Sequence, residues 1–134
     1  MIVVDTNVIG YTLLASERSR LAEQALVIDS DWAAPMLWRG EFRNVLAQYL
    51  RKGRLGYSEC LRIMDEAASL VGGREFIVQT GRVFELVASS TCSAYDCEFV
   101  ALAQDLGVPL VTVDRQVLNN FPADAIDLTE FVRK

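Results

Sequence analysis

Four acidic residues stand where they could serve one reaction. Asp5 closes the apolar run at 2–4, Asp114 closes the run at 110–113, Asp96 lies in the first turn of a helix opening at Ser93, and Glu41 sits one turn into a long amphipathic helix. Mg²⁺ and Mn²⁺ take oxygen ligands, typically a few carboxylates completed by water and a substrate phosphate. A cation held in this way lowers the pKa of its water and neutralises charge on a phosphoryl group, so the chemistry expected is phosphodiester hydrolysis. The 134 residues contain no histidine, which excludes an imidazole base or an imidazole metal ligand. Carboxylates must carry any acid, base or metal chemistry.

Taken singly, each acid has a structural explanation. Asp5 and Asp114 suit helix N-caps, where an Asp side chain accepts from a free N–H and typically stabilises by about 1 kcal/mol. Asp96 reads as the acidic half of a capping box in the segment SAYD at 93–96, favoured further by the helix dipole. Glu41 resists such a reading, because its helical neighbours Leu37, Trp38, Asn44 and Val45 offer no cation. A carboxylate beside an apolar stripe needs a partner, since burying it unpaired costs several kcal/mol. Four acids that converge need a cation between them.

The elements that must position these acids can be read from hydrophobic periodicity. The run IVV at 2–4 predicts a strand, and the spacing of Val8, Ile9, Leu13 and Leu14 a helix after it. Residues 20–28 form a second helix and 32–34 a strand, with Pro35 suited to the first turn of the next helix. That helix carries Trp38, Phe42, Val45, Leu46 and Tyr49, more suited to core than to base stacking, and stops at Gly53 and Gly56. Further helices are expected over 58–71, 80–90, 93–106 and 116–120, with strands at 75–78, 110–113 and 125–128. Strands alternating with helices imply an α/β fold with a parallel sheet covered on both faces. In such sheets the ligand crevice lies outside the carboxyl ends of the strands, where Asp5 and Asp114 stand.

Composition sets the remaining bounds. The length suits one domain over 1–134, and 51 % hydrophobic residues suffice for a core. No run approaches the ~20 apolar residues of a membrane span, so a soluble, unprocessed protein is expected. Three cysteines without a CxxC pair suggest neither a disulfide framework nor a zinc site, and a reducing cytoplasm fits them. The net charge of −5 is unlike a passive polyanion binder. Yet six of the thirteen basic residues lie between Arg39 and Arg62, against Glu41 and Glu59 alone. Arg43, Arg51, Lys52 and Arg54 of this stretch either form a solvated face or track a single-stranded RNA backbone toward the acids.

The segments IVVDTNVI, WRGEFRNVL and SAYDCEFVALAQDLGVPLVTVD, in this order and spacing, resemble the PIN-domain nucleases and, within them, the VapC-like toxins of prokaryotic toxin–antitoxin pairs. The resemblance spans nearly the whole chain. It implies a three-layer α/β/α sandwich around a mostly parallel sheet of four to five strands. It further implies a metal-dependent ribonuclease in which Asp5, Glu41, Asp96 and Asp114 hold one or two Mg²⁺ or Mn²⁺ ions and Thr6, Asn7 and Thr112 support the pocket. A small antitoxin partner and a homodimer are implied by the same resemblance.

Three rival readings have sequence tests of their own. A phospho-acceptor receiver domain expects an acid pair after its first strand and a late lysine; here the strand ends Asp-Thr-Asn and the only late lysine is Lys134. A haloacid-dehalogenase-like phosphatase needs an aspartate where Asn7 stands. A PIN fold that has lost catalysis and serves as a binding module is the third, and retention of all four acids speaks against it.

Overall fold

The computed structural model describes residues 1–133. Its elements run β1 (Ile2–Val4), α1 (Thr6–Leu13), α2 (Ser19–Ile28), β2 (Trp32–Pro35), α3 (Leu37–Arg51), α4 (Tyr57–Val71) and β3 (Glu75–Phe76). They continue as α5 (Thr80–Ala88), α6 (Ala94–Leu106), β4 (Leu110–Thr112), α7 (Arg115–Asn120), β5 (Ala125–Asp127) and α8 (Leu128–Arg133). The five strands form one sheet in the order β3-β2-β1-β4-β5, and every pairing is parallel. The chain runs outward from β1 to one side, then returns to pair β4 on its other side. That reversal places the topological switch point between β1 and β4.

Val3 and Val4 point to opposite faces of the sheet, and both are fully buried. Helices therefore cover both faces, completing the expected α/β sandwich. Helix α6 lies across β1, β2 and β4 and packs on α5, while α1 contacts α2, α3, α4 and β4. Gly10 of α1 permits part of this approach: a Cβ there would stand 3.4 Å from the Phe42 ring on α3. Trp38, Phe42 and Leu46 form the buried stripe of α3, as their periodicity predicts.

Several boundaries differ from those read in the sequence. Pro35 ends β2 and does not begin a helix. The N–H groups of Ala34 and Met36 both donate toward β3, at 3.1 and 2.9 Å, so the Pro35 nitrogen faces the other way, beyond the last β1–β2 pair at Val3 and Ala33. No ladder donor is needed at that position. Strand β3 covers only Glu75 and Phe76. Strand β4 stops at Thr112, because the Asp114 N–H turns to the Thr112 hydroxyl. Leu128 opens the unexpected helix α8, whose Thr129 N–H is capped at 3.0 Å by Asp127.

Candidate active site

Asp5 is the residue at which β1 turns into α1. One carboxylate oxygen accepts from the Val8 N–H at 2.9 Å as the N-cap of α1; the other accepts from the Thr112 hydroxyl on the neighbouring strand β4. Thr112 also accepts from the Asp114 N–H at 3.1 Å. Asp114 in turn caps α7, accepting from the N–H groups of Gln116 and Val117 at 2.9 and 3.2 Å. The capping expected of both aspartates is therefore present, and it fixes them at the adjoining ends of β1 and β4. Holding a helix end and lining the switch point are compatible tasks for one side chain.

The other two acids come from helices. Glu41 accepts from the Thr6 hydroxyl at 2.7 Å, so the first turn of α1 supplies the partner that α3 lacks. Ser93 caps α6 by accepting from the Asp96 N–H at 3.1 Å. The reciprocal bond of the expected capping box, from the Ser93 N–H to the Asp96 carboxylate, does not form. Asp5, Glu41, Asp96 and Asp114 all line a single cleft of about 260 Å³, together with Thr6, Asn7 and Thr112.

Among the described residues no lysine or arginine lines this cleft, and the carboxyl groups respond accordingly. Burial pushes Asp5 up to about 6, opposed by its Thr112 and Val8 hydrogen bonds and reinforced by the charges of Asp114 and Glu41. Burial also raises Glu41, against the Thr6 bond and with the charge of Asp96. Asp96 is raised by burial and by Asp114. Hydroxyls and backbone N–H groups thus hold the acids in place without neutralising them.

The chemistry of this donor set suits a hard divalent cation: carboxylate, amide and hydroxyl oxygens, with uncompensated negative charge. Among the described residues, no three acids or cysteines stand close enough to grasp one ion together. Asp5, Glu41 and Asp114 are each turned to a hydrogen-bond donor of their own. Small side-chain rotations, or intervening waters, are required for joint coordination.

Arg43, Arg51, Lys52 and Arg54 are exposed and do not line the cleft. Two other cations of the basic stretch are already paired, Arg39 with Glu75 at 2.7 Å and Arg62 with Glu66 at 2.8 Å. Sequence reasoning passed over Asn44 as a site residue. It lines the cleft, and the available signal was its position three residues after Glu41, on the same helix face.

An all-parallel sheet with four carboxylates gathered at its switch point defines an α/β protein with an acidic, metal-suited cleft. The chain belongs to the PIN domain family, whose sequence pattern matches residues 2–122. It is similar to Ribonuclease VapC3 of Pyrobaculum aerophilum, with 29 % identity over 125 residues covering 91 % of this chain and 95 % of that protein. A crystal structure from the same organism matches with a TM-score of 0.77 at 22 % identity, covering 98 % of this chain and 94 % of the other. A toxin–antitoxin complex from Klebsiella pneumoniae matches with a TM-score of 0.68 at 16 % identity, over 96 % and 98 %. At these identities the two solved structures establish likeness of fold.

Proposed function

We propose that this chain is a single-domain, Mg²⁺- or Mn²⁺-dependent endoribonuclease and the toxin of a VapBC-type toxin–antitoxin pair, acting in the cytoplasm. The observation that carries the reading is the convergence of four carboxylates from four elements on one cleft that, among the described residues, no cationic side chain lines. Its ribonuclease character draws support from the similarity to Ribonuclease VapC3. A small antitoxin partner draws support from the fold shared with the Klebsiella pneumoniae complex. The homodimer follows from the family resemblance.

Asp5, Glu41, Asp96 and Asp114 would hold the metal, with Thr6 and Thr112 fixing the orientation of Glu41 and Asp5 and Asn7 lending an amide to the wall. A bound divalent ion supplies activation of water and neutralisation of phosphate charge at neutral pH. With its carboxyl at about 6, Asp5 is largely ionised at pH 7 and available as a ligand. Arg43, Arg51, Lys52 and Arg54 would meet phosphates outside the cleft and guide single-stranded RNA toward it.

The test is cleavage of a mixed pool of single-stranded and structured RNA by the purified protein in EDTA, Mg²⁺ or Mn²⁺, beside Asp96→Asn. Metal-dependent cutting that is lost in the variant is the expected result. A folded protein that neither cuts nor binds metal would instead be an inert PIN scaffold, and the reading would fall.

A further inference from the structure

A second groove, of about 110 Å³, opens directly off the acidic cleft: Thr6, Asn7 and Val45 line both. It runs between α1 and α3, with the buried Gly10 and Phe42 at its floor, Tyr11 on one wall and Tyr49 on the other. Tyr11 stands four residues beyond Asn7, ~6 Å along the α1 axis. The groove therefore leads away from Asp5 by about the step from one backbone phosphate to the next.

A cation marks the far end. The Arg18 guanidinium lies over the Tyr11 ring, 5.8 Å from its centroid, and donates to the Tyr11 hydroxyl at 3.5 Å. The Arg18 backbone N–H donates at 3.1 Å to the hydroxyl of Ser16, which also lines the groove. Arg18 is exposed and joins no ion pair among the described residues. Tyr49, whose spacing predicts a core position, is only half-buried, like Tyr11. Acids, an apolar trough with an aromatic ring on each wall, and an unpaired guanidinium thus follow one another in a row.

We propose that this groove seats the nucleoside next to the cleaved bond, a pyrimidine, with its base packed between Tyr11 and Tyr49 and its outer phosphate on Arg18. The inference rests on the ribonuclease reading above and names the base that the same site prefers. A nucleotide within a strand has a phosphate at each end and a flat ring between them, the order in which the acids, the tyrosines and Arg18 stand. Splayed bases of a single strand pack on aromatic side chains, and arginine adds to their binding. Size selects among the bases. An apolar cavity of ~150 Å³ holds one benzene ring, so this smaller groove seats the six-membered ring of a pyrimidine, whereas a purine leaves its second ring in solvent.

The test is sequencing of the products from a randomised single-stranded RNA pool cut in Mn²⁺ by the parent, Tyr11→Ala, Tyr49→Ala and Arg18→Ala. It is repeated on a defined RNA with an abasic ribose at the preferred position, and KM is measured on its intact form. The parent is expected to favour pyrimidines at one fixed position next to the cut by about tenfold, within the range of one base–aromatic stack. Each tyrosine variant should bring that preference toward parity, and Arg18→Ala should raise KM several-fold. The abasic RNA should slow the parent more than it slows Tyr11→Ala. If a tyrosine variant fails to fold, the abasic RNA decides with the parent alone, and an unslowed parent overturns the subsite. Cutting without a pyrimidine preference, with one that both tyrosine variants retain, or with KM unchanged in Arg18→Ala would also overturn the subsite alone. Should sedimentation show that Tyr11→Ala splits a parental dimer while base preference is unchanged, the groove belongs to a second copy and the subsite is overturned. Absence of any metal-dependent cutting overturns the ribonuclease reading, and the subsite with it.

Discussion

The Thr6 hydroxyl donates to the Glu41 carboxylate at 2.7 Å, joining residues 35 positions apart. Thr6 is buried and opens α1, while Glu41 stands on α3; this bond links two helices that already pack together. It gives a half-buried acid its one donor among the described residues. Thr6→Val keeps the shape and removes that donor, so it should lower stability by about 1 kcal/mol in EDTA, within the usual range for a hydrogen bond to a charged group discounted for partial exposure. Urea unfolding should show a lower midpoint at an unchanged slope. An unaltered midpoint would mean that Glu41 is satisfied in another way.

Asp5 predicts a pH dependence with a definite sign. Its folded carboxyl, at about 6, holds a proton more tightly than the unfolded one at 3.8. The native state therefore binds more protons between these values, and stability drains away as pH rises through about 6. Asp5→Asn removes the loss. In EDTA the variant should exceed the parent by on the order of 2 kcal/mol above pH 7 and converge with it near pH 4. Thermal melts at several pH values would reveal this, and a gap that widens toward acid would contradict the assignment.

A cation that relieves the same repulsion should stabilise the fold. Mn²⁺ should raise the melting temperature, adding about 2.7 kcal/mol of stability at a hundred times its dissociation constant. Asp96→Asn should shrink the shift, and EDTA should reverse it. A shift equal in parent and variant would place the ion elsewhere on the surface.

Gly40 lies in the interior of α3, and a Cβ added there would meet nothing within 4 Å. Gly40→Ala should stabilise the protein by about 1 kcal/mol through helix propensity alone. If equilibrium unfolding instead shows a loss, the helix beside Glu41 depends on glycine for a reason other than space.

Legibility in the sequence followed the range of each signal. Asp5 and Asp114 could be placed because a β-branched run that ends at an aspartate marks a strand end locally, and Ser93 marked the start of α6 in the same way. Pro35 was misassigned because its tolerance depends on which neighbouring strand its nitrogen faces, a property of sheet order. Helix α8 was missed because its cap, Asp127, closes a strand whose end periodicity could not separate from the helix. The partnership of Thr6 with Glu41 spans two crossovers and has no local signature.

The bond between Thr112 and Asp5 joins residues 107 positions apart, because β1 must wait for β4 to complete its pairing. During synthesis the first half of the active cleft is made almost at once, and the second only after most of the chain has left the ribosome. Until then Asp5 has neither its neighbouring strand nor Asp114 beside it. A PIN domain built in this order cannot complete its acidic cleft before β4 has paired with β1, so a nascent chain that stops short of Thr112 has neither the Thr112 bond to Asp5 nor Asp114 beside it.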